Sequence, residues 1–168
     1  LAESFQNSEL LGEYHTWLGF SLYLRGKINK SYPYFQKAIE IGKKNNHKKV
    51  IAYSSTWLIF NGCDLGLIDD SIYHGKIALS LSDKFPHDHF LFYKPRAGLG
   101  QVYWYKGDGR KCYDLGMELI NYGKENSNYR CLVTGHICIG LSYLTSGELD
   151  KAIDTFSKAI EVSVDPFY

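Results

Sequence analysis

No charge of one sign dominates this chain: 19 Lys and Arg stand against 18 Asp and Glu, a net charge of +1. That balance excludes a nucleic-acid binder that works by neutralising phosphates. The densest basic run, Lys43 to Lys49, has no aromatic interleaved and reads as a solvated helix–helix turn. No apolar run approaches the ~18 residues of a membrane span, and no signal-peptide pattern opens the sequence. The four cysteines, Cys63, Cys112, Cys131 and Cys138, include no C-x-x-C pair and no His at ligand spacing. They read as reduced, packed thiols of a cytoplasmic protein, and no metal or cofactor is implied.

Catalytic patterns are missing as well. Gly98-Leu99-Gly100-Gln101-Val102-Tyr103 begins like a dinucleotide loop but lacks a third glycine and a preceding strand. Gly107-Asp108-Gly109-Arg110 lacks the alternating acidic ligands of a calcium loop. His87-Asp88-His89 has metal-binding residue types, yet Asp88 at a helix start is more simply an N-cap. Ser, His and acidic residues occur at no spacing that implies a triad. The segment is read as non-catalytic.

What the chain has is apolar content, 45% with 15% aromatic, enough to bury a core. It also repeats itself. Leu18-Gly19…Gly26, Leu58-Ile59…Gly66, Leu99-Gly100…Gly107 and Ile139-Gly140…Gly147 recur at steps of 40, 41 and 40 residues. The same step carries a small residue (Ser31, Ser71, Cys112, Ala152) and a pair of apolar columns (Ala38-Ile39, Ala78-Leu79, Leu119-Ile120, Ala159-Ile160). A period of this size means stacked supersecondary units, hence a solenoid.

Each period splits into two helical segments around a glycine suited to a left-handed C-terminal cap. The pattern predicts helices from about Leu10 to Arg25 and Ile28 to Lys44, then His47 to Leu65 and Leu67 to Lys84. Asp88 to Lys106 with Asp108 to Lys124, and Tyr129 to Thr145 with Glu148 to Val162, follow. The small columns are expected where paired helices cross, Gly140 facing Ala152 with Ser157 on the solvent side. Ile59 breaks the first column, which predicts a splayed second repeat. Gly75 and Gly116 stand where Phe35 and Phe156 stand elsewhere, so the second helices of the middle repeats are expected to pack thinly.

The pattern L-G-x-x-Y/L-x-x-x-G…A…F-x-x-A-I resembles the tetratricopeptide repeat, a helix-turn-helix of 34 residues. Its best stretch runs from Gly140 through Ile160 and closes with Pro166, and the period here is about six residues longer. The resemblance implies an all-α, right-handed α-solenoid of about four repeats, 10–45, 46–86, 87–126 and 127–166. Residues 1–9, chiefly Leu1 to Asn7, form a partial N-terminal helix, the tail of a preceding repeat. With no initiator Met and no polar capping helix, the array 1–168 is expected to be a piece of a larger protein. Tyr143, Phe156, Ile160 and Phe167-Tyr168 are then partly exposed, and self-association through uncapped ends follows.

In such arrays the first helices line a concave groove. Projected onto this sequence, the groove holds Trp17, Phe20, Tyr23, Tyr53, Trp57, Phe60, Lys94, Gln101, Trp104 and Tyr105 as partner-binding residues. Glu13, Thr16, Leu24, Thr56, Cys63, Asp64, Ala97, Thr134, Ile137, Cys138, Leu141 and Thr145 lie beside them. Large rigid aromatics are typical interface anchors, although each either meets a partner or seals neighbouring repeats. Family members that clamp the C-terminal carboxylates of chaperones use Lys, Asn and Arg where this chain has Thr16, Phe20, Thr56, Trp57 and Ala97. The expected partner is instead an apolar protein helix or peptide, possibly from other domains of the same chain, not nucleic acid and not membrane. The resemblance extends to repeat arms of bacterial signal-transduction ATPases, LuxR-type activators and class III adenylate/guanylate cyclases. A small-ligand sensor with an aromatic pocket is the alternative.

Overall fold

A computed structural model describes residues 7–163. Among them are eight α-helices and no strand. They are α1 (Ser8–Leu24), α2 (Ile28–Lys44), α3 (Lys48–Asp64), α4 (Ile68–Ser82), α5 (His89–Tyr105), α6 (Gly109–Glu125), α7 (Tyr129–Thr145) and α8 (Leu149–Ser163). Each begins and ends within two residues of the bounds expected from the repeat. Apart from Asn7, the helix tail expected before α1 lies outside the described residues, as do Pro166 and Phe167-Tyr168. The chain divides into two compact units, Leu1–Pro95 and Arg96–Tyr168, with the boundary inside α5. In the first, α1 packs on α2, α2 on α3 and α3 on α4, and α1 also touches α3. In the second, α6 packs on α7 and α7 on α8.

The glycine column does its expected work. Gly26, Gly66, Gly107 and Gly147 sit at φ of 69° to 75°, the left-handed region where a Cβ is strained. Each turn closes with the paired hydrogen bonds of a Schellman cap, as in Lys27 N–H to Leu22 O and Gly26 N–H to Tyr23 O, both 2.9 Å. Asn46 and Ser127 take the same place after α2 and α6. The side chains of Asn7, Asp88, Asp108 and Asn128 accept from free N–H groups at the starts of α1, α5, α6 and α7.

The crossing geometry differs from the small-against-small expectation. A Cβ on Gly19 would lie 2.9 Å from the Phe35 ring, and one on Gly140 would lie 2.5 Å from the Phe156 ring. Gly140 therefore receives Phe156, not Ala152. In the second repeat the same two positions hold Ile59 and Gly75, so the bulk moves to the first helix. Ile59 is fully buried there, and the pairs α1–α2 and α3–α4 both pack. In the third repeat both positions are glycine, and the space beside Gly100 is filled by Cys138 of α7, its Sγ 2.6 Å from the missing Cβ.

The thin packing expected around α6 is likewise corrected. A Cβ on Gly116 would meet the Gly135 carbonyl at 2.8 Å, and one on Gly135 would meet the Gly116 carbonyl at the same distance. Two facing glycines let α6 and α7 approach backbone to backbone.

Helix α3 is the most enclosed element of the first unit. Two of its buried polar side chains, Ser54 and Asn61, hydrogen-bond across helices, while Thr56 bonds back to Ala52 O within α3, and Ser55 Oγ and Asn61 Oδ1 have no partner among the described residues. Thr16 and Ser54 hydroxyls meet at 2.7 Å, and the Asn61 amide donates to the Ser31 hydroxyl and, at 3.4 Å, to Ile28 O. The small column at Ser31 is thus a hydrogen-bonded seam as well as a gap.

Candidate partner interface

Seven of the ten expected interface residues come together in the first unit, on the face shared by α1, α3 and the start of α5. Helical spacing explains the convergence: Trp17 and Phe20 are three apart on α1, as are Trp57 and Phe60 on α3, so each pair lies on one face. The Phe20 and Trp57 ring centroids are 4.3 Å apart, and Tyr23 and Phe60 flank Trp57 at 6.2 and 6.1 Å. Trp17 meets Phe20 edge to face at 5.9 Å. The Lys94 ammonium lies 4.6 Å from the Phe60 ring centre and 5.5 Å from that of Trp57. Tyr53 joins through Phe90, stacked at 5.0 Å, and Phe90 touches Trp57 at 5.7 Å.

Phe90 was not among the expected residues. Its signal was the apolar run Phe90-Leu91-Phe92-Tyr93 at the start of α5, one turn before the first groove position assigned to that helix. Gln101, Trp104 and Tyr105 lie in the second unit. There Trp104 and Tyr105 rings sit 4.8 Å apart, with Tyr105 57% exposed.

Burial separates the two roles that sequence left open. Trp57 is only 8% exposed and belongs to the core with Phe35, Ile39 and Leu58. It seals α1 against α3, which corrects its placement as an anchor open to a partner. Trp17, 55% exposed, is the large aromatic this face presents to solvent. Thr56, Cys63 and Cys138 are also buried, and Thr16, 4% exposed, reaches this face only at the pocket beside Trp17. Beside Trp17 a half-open pocket of ≈ 130 Å³ is lined by Glu13, Thr16, Trp17, Lys49, Val50 and Tyr53. Wider hollows of ≈ 450 and ≈ 480 Å³, at 84–89 beside Lys49 and at 147–151, are open to solvent and lie at turns and the helix starts next to them.

Tyrosine–aspartate bonds tie the first unit's repeats together. Tyr23 OH donates to Asp64 at 2.7 Å, Tyr53 OH to Asp88 at 2.8 Å, and Tyr32 OH to Asp70. Burial, and then the carboxylate each faces, holds these phenols well above the usual tyrosine range. Burial also pushes the Cys63 and Cys131 thiols up to about 11, which leaves them poor nucleophiles at neutral pH. Cys112 donates its S–H to Cys138 O at 3.1 Å. His74 lies 3.6 Å from Asp70, and burial, the larger influence, holds its imidazole below the ordinary range. These groups stabilise helix contacts.

Known proteins place the fold. The tetratricopeptide repeat family matches residues 139–163, the stretch of α7 and α8 where Gly140 receives Phe156. The repeats are tetratricopeptide-like. The crystal structure of BtubC (BKLC) from P. vanneervenii superposes with a TM-score of 0.83 at 15% identity, over 99% of this chain and 70% of that one. At that identity the likeness speaks for the fold alone. No curated protein matches the chain. Among the described residues no tetratricopeptide-like helix is long and apolar enough to cross a membrane.

Proposed function

We propose that the chain is a non-catalytic protein–protein interaction scaffold whose partner docks on the α1–α3 face of the first unit. The observation that carries this reading is Trp17: a large aromatic left 55% exposed while the rings behind it are packed into the core. A rigid aromatic on a supported surface offers contact area at little entropic cost. Tetratricopeptide-like repeats, mostly surface for their size, suit that role. The repeats are 10–45, 46–86, 87–126 and 127–166, in one array. We read the array as the cytoplasmic regulatory arm of a larger bacterial signalling protein, of the kind built around a signal-transduction ATPase, a LuxR-type activator or a class III nucleotide cyclase.

The size of the pocket bears against the sensor alternative. At ≈ 130 Å³ it falls well short of the roughly 300–1,000 Å³ typical of small-molecule sites and suits one side chain.

A photo-crosslinking amino acid in place of Trp17, compared with one in place of exposed Ser157 on α8, tests the interface in the native host. A defined protein adduct from position 17 and none from 157 is expected. Equal adducts from both, or none from 17, sink the assignment. The complete gene is expected to encode a signalling domain beside the array; its absence overturns the signalling context but leaves the interface standing.

A further inference from the structure

We propose that the pocket between α1 and α3 receives the cationic end of a basic side chain, arginine best, from the scaffold's protein partner; the inference rests on the interaction reading above. Glu9, Glu13 and Trp17 recur every four residues and so form one exposed stripe on α1. From Ser8 to Leu24 that helix carries no Lys or Arg. Glu13 and Trp17 both line the pocket.

The polar groups of the pocket decide the chemistry. The Thr16 hydroxyl is engaged by Gly12 O and the Ser54 hydroxyl, at 3.0 and 2.7 Å. The Lys49 ammonium lies 3.9 Å from Asp88 and 5.8 Å from the Tyr53 ring centre. Glu13 makes no ion pair with any described residue. The pocket's own lining holds one carboxylate, Glu13, and one ammonium, Lys49, and that ammonium faces Asp88 outside the pocket, which leaves Glu13 as the unanswered charge. An anion finds its one cation already answered by Asp88. A purely apolar side chain would strip water from Glu13 and give nothing in return.

A guanidinium meets both demands. Its plane stacks on an aromatic face while its N–H edge pairs with a carboxylate. Trp17 and Glu13, four residues apart on one helix, place ring and carboxylate side by side. Tyr53 and Val50 give the aliphatic stem an apolar wall.

A displayed library of random peptides, selected on the protein and counter-selected on Trp17→Ala, supplies the probe. Arg or Lys is expected at one fixed place in the peptides that require Trp17. Synthetic copies should bind Glu13→Gln roughly three- to tenfold more weakly. Replacing the basic residue with citrulline should lower affinity for the wild type by a similar factor. Both positions are exposed, and unchanged circular dichroism checks that the variants fold. If Trp17-dependent peptides carry an apolar residue at that place, or Glu13→Gln leaves their affinity unchanged, the cationic assignment falls while the α1–α3 interface stands. If no selected peptide depends on Trp17, or none is selected, both fall.

Discussion

Gly140 and Phe156 share one volume: the Phe156 ring edge lies 2.5 Å from where a Cβ on Gly140 would stand. Gly140→Ala is therefore expected to lower stability by about 1–3 kcal/mol, since the ring must move from a packed position. Phe156→Leu in the same chain should restore part of that loss, and Ser157→Ala should leave stability nearly unchanged. Thermal denaturation of the single and double variants measures the coupling. Additive losses would show that the two residues do not share the space.

Trp57 and Trp17 should respond differently to truncation. Trp57→Ala removes a core ring and is expected to cost about 3–5 kcal/mol of stability. Trp17→Ala should leave the melting temperature nearly unchanged and weaken partner binding by roughly 2 kcal/mol. Chemical denaturation separates them, and equal destabilisation would place both rings in the core.

The helix pattern was legible because its signals are local and periodic. A glycine every 40 residues needs a left-handed turn wherever it falls, and the apolar columns give each helix its buried face. The site was legible only in part. Periodicity put Trp17, Phe20 and Trp57 on the right helices, but their exposure depends on what α3 packs against. Partners such as Tyr23 and Asp64, or Gly140 and Phe156, are set by how helices are rotated against each other. That rotation is absent from any one-dimensional column. The error at Gly116 had the same origin: a missing side chain reads as a gap, when here it admits a neighbouring backbone.

Alkaline pH should weaken the first unit. The Tyr23, Tyr32 and Tyr53 phenols are held above their ordinary range in the fold, so folding favours their protonated form. Their stabilisation is complete below about pH 10, where unfolded tyrosine keeps its proton, and declines as pH rises through the folded-state values. Ultraviolet titration of the 14 tyrosines should show a late-ionising group that advances in Asp64→Asn. A single transition near the ordinary value for all of them would contradict the bonds.

The exposed face of α8 should make the protein self-associate. Ile39 and Ile120 are 5% and 6% exposed, whereas Ile160, at the same place in the repeat, is 62% exposed beside uncovered Leu149 and Ile153. Ile160→Glu is expected to reduce association in sedimentation at high concentration without lowering the melting temperature. Unchanged sedimentation of a monomeric wild type and variant would remove this face as a contact.

The alternation of Gly19 with Phe35, Ile59 with Gly75, and Gly100 with Gly116 makes helices of different repeats non-interchangeable. Exchanging the first helix of one repeat for that of another would bring a bulky residue to a place shaped for none, or leave a void where a ring is needed. A change at one of the paired positions is tolerated only when its partner on the other helix changes with it. Which helix partners which is therefore as much a property of the sequence as the helices themselves.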